Sequence, residues 1–346
     1  MWESNLSLLF AAVFLANPQL LSAASPPLVF DDVSIVDAER VTITPKQRVV
    51  IRDGRISAAG PARATAIPPG ATVIRATGKF LIPGLWDMHV HVGEIEEDWF
   101  PLYLANGITG LREMAADLKN IPKQKAYQQQ IASGKRIGPD LIWTASPIDE
   151  KRPDKPPPLG VANAAEARAA VRYVQQLGAS FIKVYNGLSR EAYFAILDEA
   201  RRRGMPVTGH LPDRITTREA AEAGQATIEH LDNILLACSS REQEGRNILT
   251  GVARGSLDRL LLDTFQPSKA DELFEIFRAR NVWQTPTLMV LRAKAWSRDK
   301  RMTEDPQLQY VRPDYLKGWR DSLREAGDPV LEARWLRRHQ ALVAQM

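Results

Sequence analysis

The sequence predicts an α/β chain in which parallel strands alternate with helices behind a small all-β segment. Three observations lead there. Short β-rich pieces with turn signals and no helical period run from Leu28 to Lys79, strands and helices alternate after His91, and four of the five histidines fall at the C-terminal ends of predicted strands. With 346 residues, 45% of them hydrophobic, the chain has material for one large globular domain and a small companion.

Residues 1–24 carry an apolar core from Leu6 to Ala16 and small residues Ser22-Ala23-Ala24, the pattern of a cleaved export signal. That core is shorter than the roughly 20 residues a spanning helix needs, so stable membrane insertion is not expected. The expected location is exported, periplasmic or secreted. A cytoplasmic location stands as the alternative, because Glu3 is present and no Lys or Arg precedes the core.

Residues 25–80 read as a small β-sandwich. Val33 to Val36, Arg48 to Ile51, Arg55 to Ala58 and Thr72 to Ile74 are the strand candidates, with Asp53-Gly54 as a hairpin turn. Residues 81–346 read as the main domain. Its strand candidates are the apolar run from Phe80 ending at His91, Ile108 to Met114, Asp140 to Thr144, Ser180 to Tyr185, Met205 to His210, Ala226 to His230 and Val282 to Val290. Asn163 with Glu166, and Thr216 with Glu219, are capping-box starts, and Gly178, Gly204 and Gly224 stand where helices should stop. Alternation of this kind implies a parallel sheet covered by helices. Lys151 to Pro158 reads as a proline-rich rim loop, and Ser239 to Gln266 as a lid or insertion before a helix from Ser268 to Arg280.

The net charge of +4 does not point to nucleic acid, because the arginines lie on amphipathic helical stretches interleaved with acids. Cys238 is the only cysteine, so the chain has neither an intrachain disulfide nor a thiolate metal cluster. A small-molecule or dipeptide partner is expected, with no nucleic acid, and a homo-oligomer remains open.

His89 and His91 are separated by one residue, so on a strand they share a face and form half a metal site. An isolated pair of this kind also describes two structural histidines. Lys183 shares an inward face with Phe181 and Tyr185, and an ammonium buried there costs several kcal/mol unless it is paired or its pKa falls. The competing reading is a lysine that reaches the rim or pairs with an acid. His210 and His230 end two further strands, while His339, in a helical run from Arg334 to Val343, reads as exposed.

In order, P-G-L-W-D-M-H-V-H, F-I-K-V-Y, T-G-H and I-E-H-L-D resemble the amidohydrolase superfamily of metal-dependent hydrolases, in particular its imidazolonepropionase-like branch with the Xaa-Pro dipeptidases. The resemblance runs from about Val29 to the C-terminus. It implies a TIM-type (β/α)8 barrel and two divalent metal ions, with Zn2+ as the expected species. His89, His91 and Lys183 would stand around one metal, and Lys183, as a CO2-derived carbamate, with His210 and His230 around the other. Tyr185 is a further catalytic candidate. The implied activity is hydrolysis of an amide or peptide C–N bond in a dipeptide or N-acyl amino acid by a metal-activated water.

Two departures stand out. Glu113 occupies a position where the family commonly has aspartate, and the strand-eight aspartate, usually in a G-T-D stretch, has no counterpart. The sequence therefore reads as a barrel lacking strand eight, truncated at its C-terminus. Two alternatives follow: a mononuclear deaminase or cyclic-amide hydrolase of the same superfamily, and a truncated, inactive metal-binding homologue.

Overall fold

In a computed structural model the chain divides into two compact units, Met1–Pro83 and Gly84–Met346. The structure describes residues 25–346 apart from 93–98, 155–156, 250–253 and 325–326. The expected export signal lies outside the described residues.

In the first unit, strands β1 (Leu28–Asp37), β2 (Thr42–Arg52), β3 (Arg55–Pro61), β4 (Thr72–Arg75) and β5 (Phe80–Leu81) form one sheet in the order β3-β2-β1-β4, with β5 beside β1. The β2–β3 hairpin turns at Asp53 and Gly54, both left-handed (φ 49° and 71°), as a two-residue turn matched to strand twist requires. The expected sandwich is, among the described residues, this single sheet over a small core of Val33, Val49 and Ala76. A second correction concerns the run from Phe80 to His91. It is two strands rather than one: Phe80 and Leu81 pair with β1, and after Ile82-Pro83-Gly84 the chain starts the second unit. Pro83 has no N–H to give to a ladder, which suits it to the break.

The second unit carries β6 (Leu85–Val90), β7 (Ile108–Ala116), β8 (Asp140–Ala145), β9 (Ile148–Glu150), β10 (Leu159–Val161), β11 (Ile182–Val184), β12 (Val207–Gly209), β13 (Thr227–Glu229) and β14 (Trp283–Thr285). Parallel ladders join β6-β7-β8, β10-β9-β11-β12 and β13-β14. Single backbone bonds carry the series across the gaps: Ser180 N–H to the Trp143 carbonyl (2.9 Å) and Ala226 N–H to the Val207 carbonyl (2.7 Å). The result is a parallel series β6-β7-β8-β11-β12-β13-β14 with helices between its members. Its two end strands leave apolar surface open: Trp86 is 42% exposed on β6 and Trp283 68% on β14.

The helices form where the punctuation put them. Helix Ala164–Gln176 starts at Asn163, whose side chain accepts the Glu166 N–H, and helix Thr217–Ala223 starts at Thr216 with the full reciprocal capping box. Gly178, Gly204 and Gly224 all take positive φ behind their helices. Helix Arg190–Arg202 buries Tyr193, Ile196 and Leu197 in the main core, each worth about 1.5–3 kcal/mol of removed apolar surface if fully buried. The Tyr193 hydroxyl, sunk with that face, donates to Gln225 Oε1 (2.7 Å), so burial leaves it satisfied.

The predicted strand Val282 to Val290 ends at Thr285. Pro286 and Thr287, the latter at φ 45°, turn the chain into helix Leu288–Ala295. The segment Ser239 to Gln266 holds helices Glu242–Leu249 and Arg254–Thr264, closed by a bridge between Ser239 and Phe265. Helix Pro267–Arg280 follows, with proline in its first turn. His339 is a further correction. It is 3% exposed, because helix Pro329–Gln345 turns Leu336, His339 and Leu342 inward; its Nδ1 bonds the Trp335 carbonyl at 2.8 Å, and burial holds its pKa down.

Candidate functional site

Four of the predicted histidines come together. His89 leaves β6 near its end with its ring 5.4 Å from that of His91 and 4.4 Å from that of His230, and the His210 and His230 rings are 4.8 Å apart. Tyr185 lies over His210 at 4.2 Å. His91 is the outlying member, with its side chain 49% exposed against 7% for His89.

Each of three rings is held by its Nδ1. Glu229 Oε2 lies 2.8 Å from His89 Nδ1, Asn186 Oδ1 2.7 Å from His210 Nδ1, and Thr287 Oγ1 2.8 Å from His230 Nδ1. A carboxylate only accepts, so His89 carries a proton on Nδ1. The Asn186 orientation is fixed in turn, because its Nδ2 faces acceptors on Leu211, Asp213 and Asp232. His210 is thereby also protonated on Nδ1. Support of this kind orients a ring and raises the basicity of the nitrogen left over.

Lys183 sits on β11, 3% exposed, and its pKa is lowered to about 8, first by burial, against the opposing charges of Glu229 and Glu113. The glycine of T-G-H makes room for it. Gly209 has φ 119°, and a Cβ there would stand 2.3 Å from the Val184 carbonyl oxygen and 3.1 Å from Lys183 Cγ. The imidazoles of His91, His210 and His230 are neutral at pH 7. His210 is lowered to about 2 by burial and then by the neighbouring His230 and Lys183; His230 is lowered to about 4 by burial and then His89. His91, half exposed, is lowered to about 4 by its partial burial and by Lys183 and His89.

Beneath the rings lies a buried charge network that sequence reasoning missed. Arg112 on β7 donates to the Met88 carbonyl (2.7 Å), to Glu229 Oε1 (2.7 Å) and to Thr285 Oγ1 (3.0 Å), and its guanidinium lies 5.7 Å from the centre of the Phe181 ring. One arginine thus ties β6, β7, β13 and β14 together, and through Glu229 it fixes His89. Burial alone would raise the Glu229 pKa, but the His89 bond and the Arg112 charge bring it below the ordinary value. Glu113, the residue at the departing position, is fully buried, accepts the Ala115 N–H (2.7 Å) and stands 3.8 Å from His91 Nδ1. Signals for these roles did exist: Thr227 and Glu229 share a strand face ahead of His230, and Arg112 precedes Glu113 on an otherwise apolar strand.

Strained backbone gathers at the same place. His230, Leu231 and Asn233 after β13 and Thr287 after β14 have φ of 61°, 54°, 58° and 45°. Left-handed conformations of this kind cost non-glycine residues of order 1–3 kcal/mol each and cluster at functional sites. The late acids take no part. Asp299, Asp305 and Asp328 cap helices, while Asp314 and Asp321 pair with Arg312 and Lys317.

As placed, among the described residues no three His, Cys, Asp or Glu side chains are grouped so as to hold a metal ion. The donor chemistry nevertheless suits one: imidazoles held through Nδ1, beside an amine whose proton is loosened.

No family model matches the chain. An adenine deaminase from Chelativorans sp. (strain BNC1) is 28% identical over 214 residues, 58% of this chain and 34% of that protein. The adenine deaminase of Paracoccus denitrificans is 42% identical over 50 residues, 14% of this chain and 8% of that protein. The chain therefore matches about a third or less of the length of these curated relatives. Among solved structures, bottromycin amidohydrolase superposes with a TM-score of 0.62 at 22% identity, covering 92% of this chain and 64% of that one. A Xaa-Pro dipeptidase with bound methionine gives 0.58 at 16%, covering 91% and 77%. These neighbours are amidohydrolase-superfamily proteins, and the resemblance read from the sequence is borne out: the chain has the amidohydrolase-superfamily fold. Among the described residues no helix is long and apolar enough to cross a membrane.

Proposed function

We propose that this chain carries the metal-binding core of a hydrolase that cleaves the C–N bond of a small amide, a dipeptide or an N-acyl amino acid. The observation that carries the reading is the gathering of His89, His91, His210 and His230 around the mouth above Lys183, with three rings held through Nδ1. His89, His91 and Lys183 would hold one divalent cation, and Lys183 with His210 and His230 a second, zinc suiting such donors. When bound, such cations polarise a carbonyl and acidify a water.

The chain's own groups prepare that chemistry. With its pKa lowered to about 8, the Lys183 amine is partly neutral near pH 7.5. A neutral amine adds to CO2, forming one N–C bond and releasing one proton, and becomes an anion able to bridge two cations. Lys183 is itself only 3% exposed, so little water reaches it. Glu229, Asn186 and Thr287 hold the rings in place, so binding need not order them.

Metal counting tests this. The reading expects two zinc ions per chain, and in Lys183→Ala at most one, with turnover of a dipeptide and N-acyl amino acid panel reduced at least ~100-fold. A parent chain that holds no metal sinks it. The matches to adenine deaminases favour a second reading, a mononuclear deaminase. One metal per chain, ammonia released from adenine, and activity retained in Lys183→Ala would establish that reading instead.

A further inference from the structure

A cavity of about 420 Å³ opens beside the site, with His230 in its wall. Its lining is built by elements that the metal chemistry does not use: Leu235 and Leu236 after β13, Leu249 at the end of helix Glu242–Leu249, Leu257 and Leu261 on helix Arg254–Thr264, and Trp335 on helix Pro329–Gln345. This size lies within the range of small-molecule sites, and the wall is mixed, with the leucines and Trp335 set among His230, Asp232, Asn233, Asp258 and His339. Asn233 also lines the cavity, and its Nδ2 is buried with no acceptor among the described residues. A buried amide donor left unpaired costs about 1–3 kcal/mol, and Asn233 is held at φ 58°, a further local strain. Both expenses are explained if an acceptor arrives with a ligand.

We infer that this cavity is the subsite for a large apolar side chain of the substrate, leucine-sized or aromatic, and that Asn233 Nδ2 donates to a carbonyl or carboxylate oxygen of the same molecule. The assignment rests on the proposed hydrolase reading, since His230 belongs both to the cavity wall and to the histidine cluster. Trp335 and His339, their rings 4.7 Å apart and tilted by 44°, form one wall. The His339 ring is neutral there, its pKa held down by burial. Asp232 and Asp258 are the acids on the wall. Burial and the charge of Glu332 push the Asp258 carboxyl up, while Lys294 pulls it down; Asp232 already accepts from the Leu211 N–H and from Asn186 Nδ2.

Calorimetry on the purified full chain tests the subsite without needing turnover. N-acetyl-L-leucine and N-acetyl-L-phenylalanine should bind at least ~10-fold more tightly than N-acetylglycine, as several buried methylenes require. Leu261→Trp, which fills the cavity, should bring that ratio to within about threefold, and the smaller Leu257→Phe should reduce the phenylalanine preference before the leucine preference. Asn233→Ala should weaken all three ligands by a similar factor, about 10-fold, and leave their ratio intact. Equal binding of the glycine and leucine compounds by the parent overturns the assignment. So does a leucine preference that survives in a folded Leu261→Trp, or a parent that favours N-acetyl-L-lysine. The two readings fail separately. Side-chain preference without hydrolysis of any amide keeps the cavity and sinks the hydrolase, whereas hydrolysis with no side-chain preference in binding does the reverse.

Discussion

The helix that starts at Thr216 and the turn that follows β13 are neighbours in sequence and obey opposite rules. At Thr216 every local preference is met: the hydroxyl accepts the Glu219 N–H, Glu219 returns the bond to the Thr216 N–H, and Gly224 ends the helix in the left-handed region. After Glu229 three non-glycine residues stand at positive φ, a carboxylate and a guanidinium are buried together, and neutral imidazoles crowd beside a lysine. The first arrangement lowers the free energy of the fold. The second raises it locally, and what it secures is the position of three rings.

The largest break in that comparison comes from Glu229→Ala. It leaves the Arg112 guanidinium buried with its anionic partner gone, which destabilises by about 3–5 kcal/mol, and it frees His89 Nδ1, which should weaken zinc binding ~10–100-fold. Urea unfolding and competition with a chromophoric chelator measure the two losses. Combining Glu229→Leu with Arg112→Met should restore most of the stability, because well-packed apolar groups replace buried ion pairs at little cost, while zinc binding stays weak. If the double variant recovers both, the carboxylate serves only the arginine.

Thr287→Gly separates strain from function. Glycine accepts φ 45° freely, removing about 1–3 kcal/mol of strain but losing about 0.5–1 kcal/mol to backbone entropy, so stability should stay level or rise by up to about 2 kcal/mol. His230 Nδ1 loses its hydroxyl partner at the same time, and zinc affinity should fall by about 10-fold. A variant that is less stable yet binds zinc normally would show that the turn is a packing device.

The same contrast explains what could be read from the sequence. Caps, stops and strand ends are local, so Asn163, Thr216 and Gly224 announced their helices, and the H-x-H spacing, T-G-H and I-E-H placed four rings before any coordinates. What escaped is what depends on partners far along the chain. Arg112 meets Glu229 and Thr285 across the interior, His339 is buried because a helix face packs, and Asn186 serves His210 from the loop after the preceding strand, β11. The strand overrun past Thr285 has a different origin. Pro286, which cannot donate to a ladder, was a readable stop inside Val282 to Val290, whereas the left-handed Thr287 that completes the turn is favoured by no propensity.

The smallest effect belongs to the well-behaved end of the comparison. Thr216→Ala removes the cap and should cost about 1 kcal/mol at pH 7 without altering zinc binding, since the residue touches none of the rings. Acid sharpens the test. The Arg190 ion pair, with the Thr216 backbone and hydroxyl bonds, lowers the Glu219 pKa from its ordinary 4.5 to about 2. A depressed carboxylate adds stability that is fully present above 4.5 and is lost as the pH falls through about 2. The hydroxyl donates to that carboxylate at 2.8 Å, so the gap between parent and Thr216→Ala should narrow as the pH drops from 4.5 toward 2 in metal-free urea titrations. A gap that stays constant would assign the whole effect to the Glu219 N–H, and one that widens would contradict the reciprocal cap.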